Sequence, residues 1–228
     1  AIASECTDRL RTITLGFEEF QGTGEDEVPL AERLAENYGT DHETVWVTRD
    51  DFVEARDDIF QAMDQPTIDG VNSYFVSRAA ADSGLKVAMS GLGGDELFGG
   101  YRSFRDIPRL VNTVGDIPGV EVLGRGIRRV TAPVLERMTS PKYAGLLELG
   151  HSYGGAYLLR RGLYMPWELP DVLDPELVEQ GWNELEPRLR IEEEIDGIRS
   201  DRLRVSALES TRYMRSQLLR DTDWASMA

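Results

Sequence analysis

The stretch Val87-Ala-Met-Ser-Gly-Leu-Gly-Gly-Asp-Glu-Leu-Phe-Gly-Gly-Tyr101 decides how the rest of the chain reads. Val87 to Met89 reads as a short buried strand that breaks at Ser90-Gly91 and leads to two adjacent carboxylates, Asp95 and Glu96. Leu97-Phe98 make a short apolar turn, ended by Gly99-Gly100. Glycines let backbone N–H groups converge on one concavity, which suits phosphate oxygens. Two carboxylates in the same place repel a bare phosphate, and a divalent cation between them removes the conflict. The segment therefore reads as a magnesium–nucleotide or magnesium–pyrophosphate site. Two plainer readings stand beside this one: acids in a first helical turn complement the macrodipole, and glycines before a helix serve as turn residues. The run lacks the third glycine of a dinucleotide fingerprint and the Gly-Lys-Ser/Thr of a Walker loop.

Upstream of this stretch, strand and helix alternate. Thr12-Ile-Thr-Leu15 is a β-branched run ending at Gly16, and Val45-Trp-Val-Thr48 is a second strand signal. Between them, Glu25 to Tyr38 carries apolar residues at helical spacing with Gly39 as its C-cap. Asp50 or Asp51 is placed to cap a helix running through Met63, and Val71 to Asp82 forms another helix that stops at Gly84. Strands separated by helices imply right-handed crossovers and a parallel sheet covered on both faces. Downstream of Phe104 the β-branched alternation fades. Prolines, among them Pro108, Pro170, Pro175 and Pro187, punctuate a helical region. A last long helix is expected from about Ser200 to Asp221, with Leu203, Leu208, Tyr213, Leu218 and Leu219 toward the core. The expected fold class is α/β, a parallel sheet with flanking helices followed by a helical region. The division falls into 1–103, a nucleotide-binding part, and 104–228, a helical part.

Composition narrows the function classes. At 228 residues the chain can bury a full core. Its net charge of −16 argues against a nucleic-acid partner, since no basic excess exists to displace counterions. No run approaches the ~20 apolar residues of a membrane span. Lys86 and Lys142 are its only lysines, and scarce lysine with abundant Asp and Glu fits a salt-adapted organism, a high-GC genome or simply a solvated acidic surface. Cys6 is alone, which excludes an intrachain disulfide and points to a reducing, cytoplasmic setting. With only His42 and His151 beside that one thiol, a zinc site or a histidine-based triad has few candidates.

The run Ser90-Gly-Leu-Gly-Gly-Asp-Glu-Leu-Phe-Gly-Gly-Tyr101 resembles the Ser-Gly-x-Gly-(Gly/Ser)-Asp-Glu-x-Phe-Gly-Gly-Tyr signature of the asparagine synthetase B family, which sits in the synthetase domain of the glutamine-hydrolysing enzymes. Leu10–Phe17, Tyr38–His42 and Gln217–Ala228 look like family segments in the family's order. The resemblance implies an ATP pyrophosphatase-like (adenine nucleotide α-hydrolase-like) sheet. It also implies ATP-dependent activation of a carboxylate as an acyl-adenylate, followed by attack of ammonia derived from glutamine. ATP and Mg2+ are the implied cofactors, and aspartate the default acceptor. Asp95 aligns with the family's magnesium and pyrophosphate aspartate, with Glu96 assisting or only complementing the helix. Ser90 and Gly91 align with residues lying against the nucleotide, and Leu15 with an apolar position whose backbone meets adenine. Thr67 and Asp221 are the implied substrate-binding residues.

Two departures leave the acceptor open. Leu92 stands where many asparagine-forming members carry an acid, and Asp69 stands near the place of a substrate-binding arginine. In the family a strand and a Ser-Gly-Gly-x-Asp-Ser loop precede the segment that opens this chain. The chain therefore reads as a piece of a longer enzyme, inactive alone, whose glutaminase domain lies elsewhere in the same polypeptide. A homodimer is compatible with this reading, and the oligomeric state stays open. A β-lactam-synthetase-like enzyme and a non-catalytic nucleotide-binding domain remain as alternatives.

Overall fold

A computed structural model describes residues 2–7, 9–67, 69–138 and 140–228. Along the chain run α1 (Ile2–Cys6), β1 (Arg11–Phe17), α2 (Val28–Tyr38), β2 (Asp41–Val47), α3 (Arg49–Ala62), α4 (Asp69–Asp82) and α5 (Gly94–Phe98). Then follow α6 (Ser103–Val114), α7 (Val120–Met138), α8 (Leu146–Leu149), α9 (Tyr153–Arg161), α10 (Pro175–Leu185), α11 (Pro187–Glu193) and α12 (Asp201–Leu208). A π-helical stretch, Glu209–Leu218, leads into α13 (Leu219–Met227). The chain divides into two compact units, Ala1–Gly91 with Gln217–Ala228, and Leu92–Ser216.

The first unit is α/β. β1 and β2 pair in parallel with Leu15 opposite Val45 and Phe17 opposite Val47, as expected of strands joined through a helix. Gly16 lies so close to the Trp46 ring that a Cβ would stand 2.7 Å from it. Gly39 ends α2 at φ 60°, a conformation glycine adopts without steric penalty, and its N–H reaches the carbonyls of Ala35 and Glu36. The core gathers Val47, Ala55, Ile59, Phe75, Trp224 and Ala225, so α3, α4 and α13 close over the strands. Trp224 packs so tightly on Gly70 that a Cβ there would overlap its ring.

The start of α3 corrects one expectation. Its N-cap is Thr48, whose hydroxyl accepts from the Asp51 N–H at 3.2 Å, while the Asp51 carboxylate accepts from the Thr48 N–H at 2.8 Å. This reciprocal box satisfies two helix-end donors, so Asp51 acts from the first turn and is not the cap itself. A second correction is larger. Val87–Met89 forms no strand; Val87 is 82% and Met89 98% exposed. The described sheet consists of β1 and β2 alone. With no described strand beside it, the run has no ladder to join, and its backbone groups turn to solvent.

The second unit is all helix. Ile107, Tyr153, Ala156, Tyr157, Ile191, Ile195, Val205 and Leu208 form its main core, and Leu149, Leu159 and Met165 a smaller one. Each of the buried Ile, Val, Leu and Met side chains among them contributes roughly 1.5–3 kcal/mol on burial. Pro170, Pro175 and Pro187 stand at helix starts, where the missing N–H costs nothing. Pro108 instead lies inside α6. The final helical run extends past Asp221 to Met227 and contains the π stretch. Leu203 is 59% and Leu219 45% exposed, against the expectation that both face the core. Val205 and Leu208 are fully buried, and Leu203 falls on the opposite side of α12 from them.

Candidate functional site

The signature closes on itself around Asp95. Gly93 at φ 93° starts α5 and Gly99 at φ 82° ends it. Both are left-handed conformations that a side chain would strain. The Asp95 carbonyl accepts from the Gly99 N–H at 2.9 Å and the Gly100 N–H at 3.0 Å. A Cβ on Gly100 would overlap the Asp95 carboxylate, so the second glycine of the pair is there to leave that carboxylate its room. Asp95 is exposed.

Its neighbour faces the other way. Glu96 is 1% exposed, and its Oε1 accepts from the Tyr101 hydroxyl at 2.9 Å. The Ser206 hydroxyl donates to the Glu96 carbonyl at 2.7 Å, and Arg202 donates to the carbonyls of Leu97 and Phe98 at 3.3 and 3.2 Å. Oε2 of Glu96 has no hydrogen-bond partner among the described residues. Behind Tyr101, the Arg161 guanidinium lies 3.5 Å from the Tyr213 ring centroid and 4.8 Å from that of Tyr101. It pairs at 3.0 Å with Glu209, a fully buried carboxylate at the start of the π stretch. Burial, then the bond to Glu96, pushes the Tyr101 hydroxyl well above its ordinary pKa, which keeps it a donor. The two signature carboxylates thus do different things: Asp95 meets solvent, and Glu96 turns inward to hold the Tyr101 hydroxyl, while its backbone carbonyl ties the turn to Ser206 of α12.

The other sequence-derived site residues lie in the first unit. Thr67 and Asp221 come together across 154 positions of chain: the threonine hydroxyl donates to the Asp221 carboxylate at 2.6 Å. Asp221 is fully buried and also accepts from Arg220 Nε and Nη2 at 3.0 and 2.8 Å. Arg220 reaches on to Gln65 Oε1 at 2.8 Å, and the Gln217 amide donates to Asp69. These bonds tie the loop before α4 to the final helix. Leu15 is half-buried in β1 against the core, while Ser90 and Gly91 are exposed. A Cβ on Gly91 would meet open space. His42 Nδ1 bonds the Thr12 hydroxyl at 2.9 Å, a structural contact between the strands.

The network of Tyr101, Arg161, Ser206 and Glu209 escaped the sequence reading. One signal for it was present: Glu209 stands one helical turn after Val205 on the apolar side of α12, and an acid in that place needs a buried partner. Arg161 carries no such mark. Among the described residues no group of three or more His, Cys, Asp or Glu could hold a metal ion. A magnesium ion would fit only in the manner of nucleotide sites, where one or two carboxylates share it with phosphate oxygens and water; Asp95 is available for that and Glu96 is turned away. No helix of the described residues is long and apolar enough to cross a membrane.

Comparison with known proteins supplies the family. A Mycobacterium tuberculosis protein provisionally named asparagine synthetase [glutamine-hydrolyzing] is 34% identical over 197 residues, covering 80% of this chain and 29% of that protein. Asparagine synthetase [glutamine-hydrolyzing] 1 of Bacillus subtilis is 32% identical over 108 residues, covering 46% of the chain and 16% of its own length. Amidase chry2 of Gibberella zeae is 31% identical over 98 residues, covering 42% and 14%. The chain therefore spans less than a third of the length of these relatives. No solved structure matches it. The family model described as asparagine synthase matches residues 1–228, the whole length, and the chain belongs to that family.

Proposed function

We propose that this chain supplies the carboxylate-activating part of an ATP-dependent amidotransferase. An acceptor carboxylate takes AMP from ATP as an acyl-adenylate, pyrophosphate leaves, and ammonia released from glutamine by another domain displaces AMP. The observation that carries the reading is the solvent-facing Asp95 carboxylate, held in a turn bounded by left-handed glycines at 93 and 99 and given its room by Gly100. In this reading Asp95 holds Mg2+, which when bound neutralises charge on the departing pyrophosphate. Glu96 positions the turn through Tyr101 and touches no reactant. Ser90, Gly91 and the Leu15 backbone receive the nucleotide in an ATP pyrophosphatase-like arrangement, as the family resemblance implies. Thr67 contacts the acceptor, oriented by Asp221.

Aspartate is the acceptor that the family favours. One arrangement favours a different acid: Thr67 stands beside Asp69 and Asp221, and Arg220 is already paired with Asp221, so a second acceptor carboxylate there would face acids. The test is AMP release by the polypeptide carrying this chain, with MgATP, glutamine and a panel of carboxylic acids that includes aspartate. Asp95→Asn should lower kcat by roughly 10²-fold or more, as expected for a group that stabilises charge in the transition state. Glu96→Gln should cost less. Wild-type turnover by Asp95→Asn, or absence of AMP release with every acid, would overturn the assignment.

A further inference from the structure

A cavity of about 270 Å³ in the second unit shares no residue with the Asp95 turn. Its apolar wall comes from Ile107 and Leu110 of α6, Leu146 of α8 and Leu159 of α9. Lys142 and Arg160 also line it. In a chain with 41 acids and 25 basic residues, cations readily find carboxylates. These two have no ion pair or hydrogen bond among the described residues, although Asp106 lines the same cavity and is itself paired with Arg105 at 3.1 Å. Burial depresses the Lys142 ammonium, the Glu168 carboxylate opposes this in part, and the charge of Arg160 adds a smaller depression. Two like charges facing one partly dry space repel each other, and an anion between them relieves both the repulsion and the lost hydration.

We propose that this cavity binds a carboxylate bearing a short apolar tail, its head group between Lys142 and Arg160 and its tail against the Ile107–Leu110–Leu159 wall. Charge complementarity selects the head group. The cavity's volume, near the lower end of the range for small-molecule sites, limits the tail to a few carbons or one ring. Nothing in the proposed adenylation requires this site, so its test is separate from activity.

Hexanoate is a suitable probe, titrated by calorimetry into the polypeptide carrying this chain, with hexylamine and inorganic phosphate as controls. Saturable binding of hexanoate is expected, with much weaker binding of both controls. Lys142→Gln and Arg160→Gln should each weaken it about tenfold or more, the loss of one charge-assisted contact. Arg160 is exposed, so its variant reports even where Lys142→Gln perturbs folding. No saturable hexanoate binding, equal binding of hexylamine or phosphate, or unchanged affinity in a folded Arg160→Gln would each overturn the proposal.

Discussion

The contrast between Asp95 and Glu96 shows how little adjacency says about role. Glu96→Ala should destabilise the second unit by about 1–3 kcal/mol, because it leaves the Tyr101 hydroxyl without its acceptor beside a new void. Glu96→Gln keeps an acceptor oxygen and should cost under ~1 kcal/mol, as read from urea unfolding; equal losses in both variants would show that the charge and not the hydrogen bond matters. The glycines divide in the same way. Gly99 holds φ 82°, so Gly99→Ala should cost about 1 kcal/mol of stability through backbone strain. Gly100 lies outside the left-handed region, and alanine there meets only the Asp95 carboxylate. Gly100→Ala should therefore leave the melting temperature nearly unchanged and reduce AMP release toward the level of Asp95→Asn. Full activity in Gly100→Ala would mean that Asp95 works from another rotamer.

Among the elements, α3 offers the cleanest test. The Asp51 carboxylate is held below its ordinary pKa of 3.8, first by the Thr48 hydroxyl and then by the Thr48 N–H. A depressed carboxylate stabilises the fold above its unfolded pKa, and that contribution is lost as pH falls through the folded value. Thr48→Ala should cost about 1 kcal/mol near neutral pH. Asp51→Asn should cost less and should flatten the acid limb of the stability curve below about pH 4. An unaltered acid limb would remove Asp51 from the account. This box was legible as Thr48-x-x-Asp51, yet two acids in succession drew the cap assignment one turn too far. The helices α2, α3 and α4 and both strands of the sheet were legible because period and punctuation agreed. Val87–Met89 was not, because an apolar β-branched start specifies a strand only where another strand lies beside it. For the site, motif resemblance put forward Asp95, Thr67 and Asp221 one by one, and the contact of Thr67 with Asp221 is seen only in the structure. The opposite facing of Glu96 did not follow from it, since it depends on Tyr101 at the end of the signature and on Arg161 and Ser206, brought in from separate helices. The π stretch was hidden too; it begins at Glu209, the residue that pairs with Arg161, and no local period marks it.

Taken whole, the second unit stores its polar interior in tyrosines as much as in carboxylates, and this gives it a particular pH response. Burial raises the hydroxyl pKa of Tyr101, Tyr153 and Tyr157, that of Tyr153 to about 12 and the other two further. In an unfolded chain these groups ionise near pH 10. Between that value and the folded pKa the unfolded state releases protons that the native state keeps, so stability is full below about pH 10 and falls as pH rises beyond it. Tyr157 is central, since its hydroxyl donates to the Leu208 carbonyl at 3.2 Å beside Glu209 in the middle of the main core. Tyr157→Phe should lower stability by about 1 kcal/mol at pH 7 and make the alkaline decline shallower, because one of the ionisations that drive it is gone. Urea midpoints measured from pH 7 upward, with tyrosinate absorbance followed in the same samples, check both parts. The absorbance of the buried tyrosines should appear together with unfolding and not before it. Parallel curves for wild type and Tyr157→Phe, or tyrosinate formation in the folded protein near pH 10, would show that these hydroxyls are open to solvent and that the interior of the second unit is not held as described.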